Sequence, residues 1–267
     1  MIPKIIHYCW FGRGEKPELA KKCIASWKKF CPDFEICEWN EDNCDYLAMP
    51  FMAEAYAAKK YAFVSDVMRL IVLEQHGGVY FDTDVEVIRD MKEIVERGSF
   101  MGCEDVNKVS AGLGLGAEPG LPLYREILEY YDTVHFRNAD GTLNEQTVVA
   151  YVTDIMKKHG YEEKERIQEV DGVFVYPAEY FCPLNYGTGK LHVTENTVSI
   201  HHYSASWHSR LDDLVDAIER CSGPKGGAQY KARRVLSFPF RVANKLQKNG
   251  LKNTIRFVGR KLRRTQN

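Results

Sequence analysis

Residues 61–86 read YAFVSDVMRLIVLEQHGGVYFDTDVE and contain the patterns of a helix followed by a strand. Apolar side chains recur at helical spacing up to the pair of glycines, which predicts a helix that ends there. The apolar run VYFD that follows is typical of a buried strand. Acidic residues then come at every second position, as Asp82, Asp84 and Glu86. A continued strand would carry these three carboxylates on one face.

Similar patterns on either side extend this unit into an α/β fold. Strands are predicted at KIIHYCWF and FEICEW, with a helix at KPELAKKCIASWKKF between them and another at MPFMAEAYAAKK. Strand, helix and strand at this spacing indicate a parallel sheet of βαβ units. Ligands of such sheets bind beyond the carboxyl ends of the strands, where Asp82 and Asp84 lie. Farther along, FMGCED and SAGLGLGAE are predicted strands, and LHVTENTVSIHHY is a candidate hairpin around Glu195 and Asn196.

Composition and charge narrow the class of protein. The chain has 267 residues, 45% of them hydrophobic, which is enough for one sizeable soluble core. Residues 225–267 contain 13 of the 36 Lys and Arg residues and no acid, so an acidic body carries a basic tail. None of the eight cysteines forms a CxxC pair, which argues against a zinc site and favours free thiols in a reducing cytoplasm. No apolar run approaches the length that spans a bilayer.

Asp82 and Asp84 are the first candidates for chemistry. Carboxylate oxygens are the ligands that Mg²⁺ and Mn²⁺ prefer, and a D-x-D pair can reach one ion or an ion on a diphosphate. The alternative is that the two aspartates are solvated residues at a strand end without a ligand. Their position after a buried strand in a βαβ unit argues against that alternative. Glu86 is expected to be such a solvated residue and not a ligand.

Three other segments offer side chains that would suit the same chemistry. Asp66 and Arg69 are three apart on the helix, so they form either a surface ion pair or a contact to a sugar hydroxyl and a phosphate. Trp10 ends the first strand and either stacks on a base or packs in the core. His202, with His201 before it, is either a late ligand to a metal held by the aspartates or a polar strand end. His7 is expected to be a core histidine.

Together these segments resemble the DXD-containing glycosyltransferases of family 32. The similarity rests on IPKIIHYCWFG, KKCIASWKKFCPDFEICEWNEDN, AKKYAFVSDVMRLIVLEQHGGVYFDTDVEV, YPAEYFCPLNYGTGK and ENTVSIHHYSASW, and covers roughly residues 1–208. The family includes yeast-type initiating α-1,6-mannosyltransferases and bacterial capsule and O-antigen enzymes. The pattern is also similar to the catalytic domain of clostridial glucosylating toxins. The resemblance implies a GT-A, Rossmann-like fold, a nucleotide-sugar donor, Mn²⁺ or Mg²⁺, and retention of anomeric configuration.

The resemblance also implies roles for single residues on the donor side. Trp10 would stack on the nucleobase, and Ser65 would lie near the nucleotide. Asp66 and Arg69 would bind the donor sugar and phosphate, and Trp207 would pack near the diphosphate. A UDP-hexose is the favoured donor, with GDP-mannose as the alternative.

On the metal side, the resemblance implies that Asp84 ligates the ion directly. Asp82 would bind the ribose or sugar, and the metal through water. His202 would close the site from the C-terminal side. A second C-terminal ligand position of the family falls on Ala205, so Ser204 and Ser206 are the candidates to replace it.

The basic tail suggests a site of action. Residues 1–222 are predicted to form the GT-A domain and residues 223–267 a helical tail. LKNTIRFVGRKLRR has one apolar face and basic residues elsewhere, the pattern of a helix on an anionic membrane. The stretch RRVLSFPFRVANKL is similar and is expected to be broken at Pro239. We therefore expect a cytoplasmic enzyme, peripheral at the inner membrane face, acting on a glycan or lipid-linked glycan. The alternatives are a tail packed on the body and a nucleic-acid patch.

Two other functions compete with the transferase. A haloacid-dehalogenase-type phosphatase also has D-x-D after a buried strand, but it needs a late acidic pair after another strand. Its one candidate pair, Asp212 and Asp213, lies in a helical pattern. A carbohydrate-binding module would not need Asp82, Asp84 and Arg69 together.

Overall fold

A computed structural model describes residues 1–204, 210–219, 227, 229–230, 232–244, 246 and 254. The chain divides into two compact units. The first contains residues 1–136, 145–184 and 191–204, and the second contains residues 137–144, 185–190 and 205–267. The predicted boundary at residue 222 falls outside the described residues and stays a prediction.

The first unit contains all nine named strands and seven of the named helices. The strands are β1 Ile5–Cys9, β2 Glu35–Trp39, β3 Gly78–Tyr80, β4 Val85–Val87, β5 Phe100–Asp105, β6 Lys108–Ala117, β7 Gln168–Val170, β8 Val173–Tyr176 and β9 Ser199–His201. The helices are α1 Glu18–Phe30, α2 Pro50–Ala57, α3 Tyr61–His76, α4 Lys92–Arg97, α5 Pro122–Asp132, α6 Val148–Lys158 and α7 Ala178–Phe181.

Seven strands form one mixed sheet in the order β2-β1-β3-β6-β5-β8-β7. Strand β1 pairs parallel with β2 and β3, and β5 pairs parallel with β8. Strand β6 runs antiparallel between β3 and β5, and β7 is antiparallel to β8. The predicted α/β, Rossmann-like class is confirmed. The predicted parallel pairing of the first strands is also confirmed. The later strands β6 and β7 run antiparallel to β5 and β8, because short connections return the chain directly to its neighbour.

The stretch 61–86 forms the predicted helix and strand. Helix α3 ends at Gly77, which adopts φ 63° and donates its N–H to Leu73 O at 2.9 Å. Gly78 has φ 100°, and a Cβ there would lie 2.7 Å from Ile5 O. Both positions therefore need glycine, one to end the helix and one to let β3 approach β1. His7 is buried and contacts Gly77 O at 2.9 Å, so its predicted core role is confirmed.

The aspartate pair lies in a turn, which differs from the continued strand expected. Strand β3 ends at Tyr80, and Val85 N donates to Asp82 O at 3.0 Å, so the chain reverses over DTD. Strand β4 then pairs antiparallel with β9 in a separate two-stranded sheet. The expected hairpin around residues 195–196 is therefore wrong, because β9 takes β4 as its partner. The buried Trp27 of α1 donates its indole N–H to Val85 O at 2.8 Å and fixes β4.

The described part of the second unit is largely helical. Helix α8 spans Arg210–Glu219, and residues 232–244 are helical straight through Pro239, where a break was expected. Ser237 Oγ donates to the Glu219 carboxylate, and Arg241 lies 3.4 Å from the same group. These contacts hold the two helices together. No helix of the described residues is long and apolar enough to cross a bilayer.

Candidate active site

Three parallel strands bring the predicted residues to one edge of the sheet. Trp10 follows β1, Asn40 follows β2, and Asp82 follows β3 by two residues. Because these strands run parallel, their carboxyl ends meet at the same edge, where ligands of open α/β sheets bind. The candidate site therefore extends from β2 across β1 to the DTD turn.

Asp82, Asp84 and His201 form a cluster at the DTD turn. One ligand atom from each side chain lies within 4.8 Å of the other two. His201 Nε2 is 3.3 Å from Asp84 Oδ1, and Ser204 N donates to Asp84 Oδ2 at 2.7 Å. Two carboxylates and an imidazole at these distances could hold a divalent ion such as Mn²⁺.

The histidine in this cluster is His201, although His202 was the expected ligand. Residue His201 pairs with Val85 in the β4–β9 sheet and therefore lies beside the aspartates. His202 Nε2 instead contacts Glu86 Oε2 at 2.8 Å, and Lys22 Nζ binds the same oxygen at 2.8 Å. Glu86 thus has its own partners, in keeping with its expected place outside the site.

Electrostatics keep Asp84 ionised. Burial alone would raise its pKa, but the hydrogen bond and charge of His201 and the N–H of Ser204 outweigh burial and hold the pKa well below its usual range. Burial would lower the pKa of His201, but its hydrogen bond to Asp84 and the charge there raise it to about 10. A metal ion would replace this proton, because a ligating histidine is neutral.

The buried side chain of Arg69 binds the carboxylate of Asp82. The residue is 2% exposed, and its guanidinium lies 3.2 and 3.0 Å from the two carboxylate oxygens of Asp82. The same group contacts Asp66 Oδ1 at 2.8 Å and donates from Nε to Ser65 O at 3.0 Å. Burial disfavours its charge, but the carboxylates and Tyr80 keep the pKa of Arg69 above its usual range. These contacts orient Asp82, and the predicted contact of Arg69 with a phosphate stays a prediction.

Asp66 connects Arg69 and Asp82 to helix α6. Its carboxylate accepts the backbone N–H of Val148, the first residue of α6. Burial raises the pKa of Asp66 to about 6, with Arg69 lowering it and Asp82 raising it. Ser65 Oγ donates back to Tyr61 O at 3.2 Å, so its hydroxyl is used within α3.

Trp10 lines a separate cleft of about 270 Å³ at the ends of β1 and β2. Its indole N–H donates to Gly14 O at 2.7 Å, and the Lys16 ammonium lies 5.7 Å from its ring. Lys16 also pairs with Glu38 at 2.7 Å. The remaining polar side chains of the cleft are Arg13, Asn40, Glu41 and Asp42. Trp207, predicted to pack near the diphosphate, is outside the described residues, as are Ala205 and Ser206.

Comparison with known proteins identifies the chemistry. Residues 17–101 match the model of the glycosyltransferase sugar-binding region containing DXD motif. The chain carries a sugar-binding region similar to that of DXD-containing glycosyltransferases. The matched region includes Asp66, Arg69 and both aspartates of the DTD turn, and it ends before His201. The predicted resemblance is thereby confirmed, and the phosphatase and binding-module alternatives lose their support.

The chain is similar to proteins from a virus and a yeast. It is 24% identical over 201 residues to an uncharacterized glycosyltransferase of Acanthamoeba polyphaga mimivirus, covering 68% of this chain and 78% of the relative. It is 27% identical over 169 residues to the initiation-specific alpha-1,6-mannosyltransferase of Candida albicans, covering 58% of this chain and 43% of that one. A solved structure, the PaToxG glycosyltransferase, matches 59% of this chain and 68% of its own at 18% identity, with a TM-score of 0.44.

Proposed function

We propose that this glycosyltransferase is metal-dependent and retaining, and that it moves a hexose from a nucleotide sugar, with UDP-sugars favoured. The observation that carries the proposal is the cluster of Asp82, Asp84 and His201 at the carboxyl edge of the sheet. Hard oxygen donors with one imidazole suit Mn²⁺ or Mg²⁺. We assign Asp84 and His201 as direct ligands and Asp82 as a ligand directly or through water.

Each residue then has a definite task in the transfer. A bound divalent ion would neutralise the charge that develops on the nucleoside diphosphate as the sugar–phosphate bond breaks. Arg69 keeps Asp82 oriented through two contacts, and the Ser204 N–H keeps Asp84 oriented and ionised. Such a site is preorganised, so little reorganisation is needed at the moment of reaction. For retention we propose a same-face route, in which the departing phosphate takes the proton of the acceptor hydroxyl and no enzymic nucleophile is needed.

The donor nucleotide is proposed to lie across β1, from the Trp10 cleft to the DTD turn. The indole ring of Trp10 offers a stacking surface for the base, held in place by its own hydrogen bond to Gly14 O. Lys16 and Arg13 provide positive charge near the path of the diphosphate. GDP-mannose is the alternative donor, since the yeast relative is a mannosyltransferase by name.

The acceptor is proposed to be a glycan or lipid-linked glycan of surface polysaccharide synthesis, such as capsule or O-antigen. This proposal rests on the tail, residues 225–267, with its 13 basic residues and no acid. Val235 and Leu236 are 72% and 64% exposed, a solvent-facing apolar pair among basic residues. We propose that the tail binds the anionic inner face of the cell membrane.

Deleting residues 225–267 tests the role of the tail. The truncated protein should keep metal-dependent donor hydrolysis and lose sedimentation with vesicles that contain anionic lipid. Vesicles of neutral lipid alone serve as the control, because they lack the charge that would attract the tail. Unchanged binding of the truncated protein to the anionic vesicles would refute the membrane proposal.

The transferase proposal is tested with nucleotide sugars and Mn²⁺. A thermal-shift screen should find one nucleotide sugar that raises the Tm only with the metal present, because ligands that bind the native state stabilise it. Asp84→Ala should abolish this shift and the hydrolysis of the sugar. Glu86→Gln is the matched control and should retain both, since Glu86 contacts His202 and Lys22 instead of the cluster. Full activity in Asp84→Ala would refute the metal role.

A further inference from the structure

Strand β6 approaches the aspartate cluster at Gly112. This strand runs antiparallel beside β3, and residue 112 faces the carboxylate that follows β3. A Cβ at residue 112 would lie 2.4 Å from Asp82 Oδ2 and 3.2 Å from Arg69 Nη1. Real Cβ atoms essentially never come within 3.0 Å of another heavy atom, so a side chain there would displace the carboxylate.

The carboxylate of Asp82 cannot easily move away from a side chain at residue 112, because its partners hold it in place. Its two oxygens are engaged by Arg69 at 3.2 and 3.0 Å, and Tyr80 Oη donates to Oδ1 at 3.2 Å. Arg69 is itself buried and tied to Asp66 at 2.8 Å. A carboxylate pushed away from residue 112 would break these contacts and change its distance from Asp84 and His201.

The backbone of Gly112 does not explain why glycine stands there. Its φ lies outside the left-handed range, so alanine could adopt the same conformation without strain. Replacing such a glycine with alanine ordinarily stabilises a protein, by about 0.4–1 kcal/mol, because the unfolded chain loses freedom. The close approach of the Asp82 carboxylate is what excludes a side chain.

We propose that Gly112 is a positioning residue of the active site. Its missing side chain leaves the space in which the Asp82 carboxylate stands between Arg69 and the other members of the cluster. The steric relation between Gly112 and Asp82 stands on geometry alone. Its consequence for metal binding rests on the proposed function.

A double-mutant cycle in thermal unfolding tests the steric relation. Gly112→Ala should lower the Tm of the otherwise unchanged protein. In an Asp82→Ala background, where the opposing carboxylate is gone, it should lower the Tm by less than half as much. Asp82→Ser provides the same test with a short polar side chain if Asp82→Ala fails to fold. An equal loss of Tm with and without the Asp82 carboxylate would overturn the proposal.

Gly102→Ala is the matched control for a general packing effect. A Cβ at residue 102 would lie 2.8 Å from a ring carbon of Phe181, which is not a member of the cluster, and its φ is also outside the left-handed range. Gly102→Ala should lower the Tm equally in both backgrounds, because Phe181 is unaffected by residue 82.

Donor hydrolysis provides the functional readout at a temperature where every variant is folded. Gly112→Ala should raise the Mn²⁺ concentration for half-maximal hydrolysis at least tenfold, whereas Gly102→Ala should leave it unchanged. A wild-type Mn²⁺ requirement in Gly112→Ala would refute the positioning role. If the wild-type enzyme does not respond to Mn²⁺, the proposed metal dependence fails, while the unfolding cycle still decides the steric role of Gly112.

Discussion

Replacing Asp66 with asparagine should stabilise the protein at neutral pH and reduce its activity. The Asp66 carboxyl is largely buried, and burial raises its pKa from 3.8 to about 6 even though Arg69 lies 2.8 Å away. At pH 7 the folded protein therefore contains an ionised group that its surroundings disfavour. Asparagine removes the charge, and its carbonyl oxygen can still accept a hydrogen bond.

The magnitude follows from the size of the shift. A rise of about two pKa units corresponds to about 3 kcal/mol at 1.36 kcal/mol per unit. The side chain keeps 14% of its surface exposed, which reduces the expected effect to about 2–3 kcal/mol. Because the folded pKa is raised, the stabilisation by the protonated form is complete below pH 3.8 and is lost as pH rises through about 6.

Urea unfolding of both proteins between pH 4 and 8, with EDTA present, measures the effect. The unfolding free energies should be nearly equal at pH 4 and should differ by about 2–3 kcal/mol in favour of Asp66→Asn at pH 7. In a chain of this size that is roughly 4–12 °C in Tm. Activity at pH 7 should fall despite the higher stability, as is common when a strained active-site group is relieved.

Glu86→Gln is a control for which the opposite change in stability is expected. Burial would raise the pKa of Glu86, but Lys22 and His202 outweigh it and lower the pKa, so the ionised form is stabilised in the folded state. Its removal should cost stability at pH 7, and the cost should vanish as pH falls below the folded pKa. If Asp66→Asn also lost stability at pH 7, Arg69 would outweigh burial at Asp66 and the reasoning would be wrong.

Three further substitutions have expected outcomes. His201→Gln should raise the Mn²⁺ requirement for donor hydrolysis at least about tenfold, since even outer partners of metal ligands contribute that much, whereas His202→Gln should not. Trp10→Ala should raise the KM for the nucleotide sugar by about 5- to 150-fold, which corresponds to about 1–3 kcal/mol of stacking. Arg69→Met should lower the unfolding free energy by about 3–5 kcal/mol, because it leaves Asp82 buried without its partner; a loss below 1 kcal/mol would contradict the assigned ion pair.

Local sequence patterns were sufficient to predict helix α3, the glycine stop and strand β3. Each depends on neighbours within a few residues, so periodicity and turn chemistry specify them. The course of the chain after Tyr80 was predicted wrongly. Alternating acids suggested one continued strand, but Trp27 and β9 hold β4 in a separate sheet, and no local pattern encodes those distant partners.

The choice between His201 and His202 depends on strand register. Adjacent residues of a strand point to opposite faces, so a shift of one residue exchanges which histidine meets the aspartates. The register of β9 is fixed by the pairing of Val85 with His201, a contact that the sequence does not display. The contact of Arg69 with Asp82 was not predicted for a related reason: i,i+3 spacing predicts its contact with Asp66 but not its burial beneath Asp82.

The pairing of β4 with β9 has a consequence for biosynthesis. Two partners of Asp84 come much later in the chain. Ser204, 120 positions later, donates a hydrogen bond to its carboxylate, and the imidazole of His201 contacts the same group. Chains are made at about 5–20 residues per second, so the aspartate pair leaves the ribosome several seconds before its partners do. During that interval the nascent chain contains β1–β3 and Trp10 but cannot form the complete cluster. The contacts of Asp84 with His201 and Ser204 therefore form only after residue 204 has emerged.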